Sequence, residues 1–148
     1  MRIEKAHLRD LKEILALQYL AYQSEAALLN DYTIQPLTQT LEEVEEEFRN
    51  GIVLKAVDDA ERIIGSVRCR AKGDTCYIAK LFVHPACQKQ GVGTRVLHEI
   101  ESVFPAHRYE LFTSDKSLKN IRFYEGNGYR RITEKAYSPG LTMVYMEK

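Results

Sequence analysis

The stretch Lys80-Leu81-Phe82-Val83-His84-Pro85-Ala86-Cys87-Gln88-Lys89-Gln90-Gly91-Val92-Gly93-Thr94 constrains the fold more than any other part of the chain. An apolar run that ends at Pro85 reads as a strand. Glycines then mark a turn, and Val92, Val96, Leu97, Ile100 and Val103 recur at helical spacing. The first N–H groups of such a helix lack internal partners and sit at the positive end of its dipole. Glycine lets this backbone approach a phosphate with no Cβ in the way. The segment therefore predicts a pyrophosphate cradle built from main chain. It is not a Walker loop, which needs Lys and Ser or Thr after the last glycine, whereas Thr94-Arg95 follow Gly93. Nor does it fit a dinucleotide fingerprint. Val96 stands where the third glycine belongs, and Asp115, at about the spacing of the acidic partner, lacks a parallel-strand context.

The remaining pattern supplies strands and helices around this turn. Ile3 to Ala6 alternates like a strand, and from His7 a helical pattern runs through Leu8, Leu11, Ile14, Leu15, Leu17, Leu20 and Ala21, fading near Asn30. Asp31 to Thr38, with Pro36, reads as a loop. Leu41 to Asn50 predicts a second helix with Leu41, Val44 and Phe48 on one side, glutamates on the rest and Gly51 as its stop. The ordinary reading of those glutamates is a solvated helix face, although they could attract a cationic substrate. Ile52–Val57, Arg62–Ala71 and Thr75–Val83 form an antiparallel meander with turns at Asp58-Asp59-Ala60-Glu61 and Lys72-Gly73-Asp74. Tyr109–Thr113 is a strand, Leu118–Gly126 a short helix, and Tyr129–Ala136 and Leu141–Glu147 are final strands. The order is β-α-α-β-β-β-α-β-α-β-β, within one domain spanning residues 1–148.

Charge and cysteine content limit the function classes. Lys plus Arg and Asp plus Glu each number 21, so the net charge is zero. That argues against a nucleic-acid or membrane-surface binder, which needs a basic excess. The N-terminus has no apolar run of a signal peptide and no stretch approaches a membrane span, so a cytoplasmic protein is expected. Cys69, Cys76 and Cys87 are then expected as thiols. A hairpin turning at Lys72-Gly73 would set Cys69 and Cys76 opposite each other. His84 and Cys87 have the spacing of two metal ligands, but nothing completes a set, so no metal is expected.

The Gln-x-x-Gly-x-Gly spacing of Gln88 to Gly93 after an apolar strand resembles the GCN5-related N-acetyltransferases (GNAT). Asn120-Ile121-Arg122-Phe123-Tyr124-Glu125-Gly126-Asn127-Gly128-Tyr129 is similar to that family's second signature, in which an Asn opens a helix, a Phe-Tyr pair follows and a Gly plus an aromatic leads into the next strand. The two lie about thirty residues apart in the family's order, and the succession of elements resembles it over nearly the whole chain. The resemblance implies an α/β (mixed α+β), strongly twisted, mainly antiparallel sheet of six to seven strands with helices on both faces. In it the strands around Val83 and Tyr109 run parallel and splay apart.

For function the resemblance implies an acetyl-coenzyme A-dependent N-acetyltransferase with no metal. Leu81, Phe82 and Val83 would bond the pantetheine arm through their main chain. Gln88, Lys89, Gln90, Gly91, Val92, Gly93 and Thr94 would hold the pyrophosphate, Asn120 would bond the pantetheine and Phe123 would pack on the cofactor. Tyr124 matches a tyrosine that can protonate the leaving thiolate, with packing in the core as its ordinary alternative. A homodimer is expected on family grounds alone.

The acceptor, a primary amine on a small molecule or peptide, would sit between the first two helices and the last strands. Tyr22, Glu25, Asp31, Tyr32 and Tyr137 there could give aromatic walls and negative charge. Tyr77-Ile78-Ala79-Lys80-Leu81 carries no carboxylate where a base is often found, and Lys80 is a poor base unless its pKa falls strongly. Glu25, Asp31, Glu125 and a water relay remain open as bases. Competing readings are a non-catalytic acyl-coenzyme A sensor and a toxin-type acetyltransferase acting on aminoacyl-tRNA, the latter disfavoured by neutral charge.

Overall fold

In the computed structural model, which describes residues 1–148, seven strands form one sheet in the order β1-β2-β3-β4-β5-β7-β6. The strands are β1 (Arg2–Lys5), β2 (Ile52–Val57), β3 (Ile63–Lys72), β4 (Thr75–Val83), β5 (Arg108–Ser114), β6 (Arg130–Ser138) and β7 (Leu141–Glu147). Every neighbouring pair is antiparallel except β4 and β5. Those two are parallel and hydrogen-bonded only from Thr75↔Arg108 to Tyr77↔Glu110. Beyond Tyr77 they diverge, which is the splay expected around Val83.

Helices cover both faces. On one, α5 (Val92–Val103) and α6 (Leu118–Gly126) contribute Val92, Val96, Leu97, Ile100, Ile121 and Tyr124 to a core with Leu54, Ile64 and Val144. On the other, α1 (Leu11–Ala21) and α4 (Leu41–Arg49) bring Leu11, Ile14, Leu15, Leu17 and Val44 against Val53, Ile63 and Phe82. Val53 and Leu54 thus fall in different cores, as alternation along a strand requires. The helical cover stops short of β6, exposed along its whole length at the edge of the sheet.

Three local expectations are corrected. The first helix is broken: a 3-10 turn at Leu8–Asp10 precedes α1, and at Tyr22 (φ −85°, ψ 2°) the chain leaves helical geometry before α2 (Gln23–Leu29). The expected loop around Pro36 contains a one-turn helix, α3 (Gln35–Thr38), because proline suits the first turn, where its missing N–H is not needed. Gly51 is not a left-handed helix cap. A Cβ there would lie 2.2 Å from the Cys69 carbonyl oxygen, so close strand approach is what demands glycine.

The cysteines also shift. The hairpin pairs Lys72 with Thr75, which sets Cys69 opposite Ile78 and Cys76 opposite Ala71. The two thiols are diagonal neighbours on one face, close enough to hydrogen-bond, and all three cysteines are free. α4 opens on a capping box: Thr40 Oγ1 accepts from the Glu43 N–H at 3.2 Å, and the Glu43 carboxylate accepts from the Thr40 N–H at 2.9 Å. This fixes which way the glutamates of α4 point.

Candidate active site

The glycine turn has the geometry of an anion cradle. Gly91 adopts φ +81° as the residue before α5, and Lys89, at φ +62°, is also left-handed. No side chain caps α5 and its first turn carries no acidic residue, so no protein anion answers its positive end. A Cβ on Gly91 would meet no protein atom within 4 Å, so the space in front of this backbone is open.

The second sequence signature packs directly on the first. The Phe123 ring comes within 3.4 Å of where a Gly93 Cβ would stand, with Val83 at 3.8 Å on the strand side. Lys119 Nζ donates to Gln88 Oε1 at 3.1 Å, and Asn120 Nδ2 donates to Thr113 Oγ1 at 3.3 Å, tying α6 to β5. Residues about thirty positions apart in sequence therefore line one cleft mouth, between the diverging ends of β4 and β5.

Along β4 this cleft offers unpaired main chain. Phe82 and Val83 pair with Ser66 and Gly65 on the β3 side, while nothing on β5 pairs with the strand past Tyr77. A bulge interrupts the β3 side as well: the register jumps from Ala79↔Arg68 to Phe82↔Ser66, and Lys80 sits in it at φ +52°. Lys80 and Leu81 fall in the bulge on the β3 side and have no partner on β5, so the edge of β4 that faces the cleft is unpaired there.

Tyr124 follows Phe123 on α6. It is buried, with ring-edge contacts to Phe123 (5.2 Å) and Tyr129 (5.9 Å). Burial pushes its phenol pKa up, and the neighbouring Tyr22 and Glu25 add to the rise, so the hydroxyl keeps its proton at any physiological pH. Tyr22 sets its ring edge on Phe82 at 6.1 Å, and burial raises its phenol pKa too, against the pull of nearby Arg68. Glu25, on α2, accepts a hydrogen bond from the buried Ser117 hydroxyl just before α6. Tyr22, Glu25 and Tyr124 are thereby brought together.

The other acceptor-site expectations lie apart. Asp31 spends its carboxylate on its own loop, accepting from the Thr33 N–H at 2.8 Å and hydroxyl at 2.6 Å. Tyr32 and Tyr137 are more than half exposed, and neither borders the main cavity. Glu125 faces solvent on α6.

That cavity, of about 530 Å³, opens where β4 and β5 part, beneath α4. Glu43, Glu46 and Glu47 of α4 form one wall, Arg68, Arg70 and Lys80 the floor, and Glu110, Phe112 and Tyr145 the far side. Phe112 and Tyr145 stack with centroids 5.2 Å apart. The α4 glutamates are largely solvent-facing, as expected, with Glu42, Glu43 and Glu46 exposed, and three of them also border this cavity. Arg68 was missed entirely. An arginine within the apolar run Ile63 to Cys69 was the available signal, since all of β3 up to Cys69 is buried.

A profile of the acetyltransferase (GNAT) domain matches residues 21–148. The chain belongs to the GNAT family. Its fold is similar to solved structures along its whole length. One is the PaiA N-acetyltransferase of Thermoplasma acidophilum in complex with coenzyme A, 18% identical, covering 100% of this chain and 99% of that one at TM-score 0.83. Another is the Escherichia coli ribosomal-protein-S18-alanine N-acetyltransferase, 13% identical, covering 99% and 91% at TM-score 0.80. A third is the Sinorhizobium meliloti phosphinothricin acetyltransferase in complex with acetyl-coenzyme A, 15% identical, covering 99% and 86% at TM-score 0.76. Among curated proteins no sequence matches it significantly. At these identities the GNAT fold is shared, and the acceptor of each relative remains that relative's own. No helix of this GNAT chain is long and apolar enough to cross a membrane.

Proposed function

We propose that this protein transfers the acetyl group of acetyl-coenzyme A to a primary amine. The observation that carries the reading is the continuity of cleft and cradle: unpaired β4 main chain from Lys80 leads to the open, uncapped N-terminus of α5 behind Gly91. A pantetheine arm with a pyrophosphate at one end matches that sequence of donors. Gln88 to Thr94 would hold the pyrophosphate, Leu81 to Val83 and Asn120 the arm, and Phe123 would pack on it.

Acetyl-coenzyme A supplies an activated acyl carbon and a thiolate leaving group, so the chain needs no nucleophile of its own. An N–C bond forms between amine and acyl carbon, the C–S bond breaks, and one amine proton must be removed while one reaches sulfur. Main-chain N–H groups on the unpaired, β5-facing edge of β4 are suited to hold charge developing on the carbonyl oxygen. Tyr124 is suited to donate the proton to sulfur, since burial keeps it protonated at the working pH. Glu25 is the carboxylate nearest this hydroxyl in the electrostatic sense and is oriented by Ser117, which supports it as the group that receives the amine proton, directly or through water.

Thiol release from acetyl-coenzyme A, followed across a panel of primary amines, tests the proposal. Amine-dependent release supports it. Tight binding of coenzyme A with no release for any amine would favour the acyl-coenzyme A sensor instead.

A further inference from the structure

Arg68 is buried to 2% exposure with no carboxylate paired to it. Its Nη2 donates to Gln18 Oε1 at 2.8 Å, while Nε and Nη1 have no protein partner. Gln18 is itself held, donating to the Pro36 carbonyl at 2.8 Å and to Gln39 Oε1 at 3.0 Å, and Gln39 in turn donates to Glu47. This chain of amides locks one edge of the guanidinium and leaves Nε and Nη1 buried and without partners in a residue that borders the cavity.

A desolvated, unpaired cation is a poor structural element, because an apolar side chain of similar volume would cost less. Buried polar groups left unsatisfied are therefore pointers to function. The charge of nearby Glu47 favours the Arg68 cation, but no carboxylate forms a salt bridge with it: Glu43 accepts from Thr40 at the α4 cap and Glu47 accepts from Gln39. Lys80 adds a second cation to the same floor, and burial together with Arg68 pushes its pKa down.

On the acetyltransferase reading above, we infer that Arg68, with Lys80, binds a carboxylate of the acceptor, so that the acceptor class is amino acids and related small amino-carboxylates. The mixed charge of the cavity fits a zwitterion better than either extreme. The glutamates of α4 and Glu110 would repel a polyphosphate, and the unpaired Arg68 would repel a polyamine. The volume suits a small molecule.

The test uses matched acceptor sets: a free amino acid, its carboxamide and the corresponding decarboxylated amine, assayed by thiol release with wild type, Arg68→Met and Lys80→Met. Coenzyme A affinity is measured in parallel by calorimetry. Wild type should favour the carboxylate-bearing member at least tenfold in kcat/KM. Arg68→Met should reduce that preference to less than threefold through KM, with coenzyme A affinity unchanged, and Lys80→Met should weaken it in the same direction. Equal or better use of carboxamides and amines by wild type, or an undiminished preference in Arg68→Met, overturns the inference.

Should Arg68→Met fail to fold, the ¹⁵N resonance of the wild-type Arg68 Nε–H group carries the test. It should shift with the free amino acids and stay still with their carboxamides; no shift with any acid overturns the inference even if some amine is acetylated. Absence of turnover for every amine, with that shift present, would count against the acetyltransferase reading and leave the anion site standing.

Discussion

Replacing Gly91 by Ala separates the cradle from the fold, because Gly73 provides a control with the same backbone demand. Gly91 has φ +81° and Gly73 φ +61°, and a Cβ at either would touch no protein atom within 4 Å. Each alanine therefore costs only left-handed strain, about 1–2 kcal/mol. For a chain of this size that lowers Tm by about 2–8 °C in both variants. Their ligand behaviour should differ. The Gly91 Cβ would stand in the open space before the α5 N-terminus, where a pyrophosphate would approach, whereas Gly73 lies in the β3–β4 hairpin turn. Gly91→Ala should therefore weaken coenzyme A binding at least tenfold, about 1.4 kcal/mol, while Gly73→Ala leaves it unchanged. Calorimetric titration of coenzyme A into both variants, alongside their thermal unfolding, makes the comparison. Matched losses of Tm with matched affinities would refute the assignment of this turn as the cradle.

Tyr124→Phe removes the phenol proton but keeps the ring that packs on Phe123 and Tyr129, so kcat should fall about 100-fold or more with coenzyme A affinity retained. An unchanged turnover number would reduce Tyr124 to packing. A third prediction concerns acid stability. Lys55, buried in β2, lies 2.8 Å from Asp10. Burial works against the Asp10 charge, but the Lys55 ammonium and the His7 N–H outweigh it and hold the pKa below the usual aspartate value. That stabilisation is present above the unfolded aspartate pKa, about 3.9, and is lost as pH falls through the folded value. Asp10→Asn should thus cost about 1 kcal/mol at neutral pH, and the gap from wild type should close on acidification, as urea titrations at several pH values would show.

Much of the fold was legible because it depends on local chemistry. The apolar run to Val83, the glycines at 91 and 93 and the Asn120 to Tyr129 segment identify a strand, a turn and two helices, while the splay was implied only by the resemblance to the GNAT family. The break at Tyr22 was not legible, since Leu17, Leu20 and Ala21 continue the helical period up to it and no glycine or proline announces it. The role of the α4 glutamates was hidden for a different reason. Whether an exposed helix face meets water or a cavity depends on where β5 diverges, some sixty residues later in the chain. Arg68 depends on another long-range relation: its held edge comes from Gln18, 50 residues away in sequence, and no periodicity within β3 encodes that partner.

In the proposed complex acetyl-coenzyme A lies along β4 with its pyrophosphate at the start of α5. Titration of the ¹⁵N-labelled protein with acetyl-coenzyme A, followed by amide chemical shifts, tests it most directly. The largest shifts are expected at Lys80 to Val83 and at Lys89 to Thr94, with smaller ones at Asn120 and Phe123. Saturable binding that left those amides in place and moved others would contradict it.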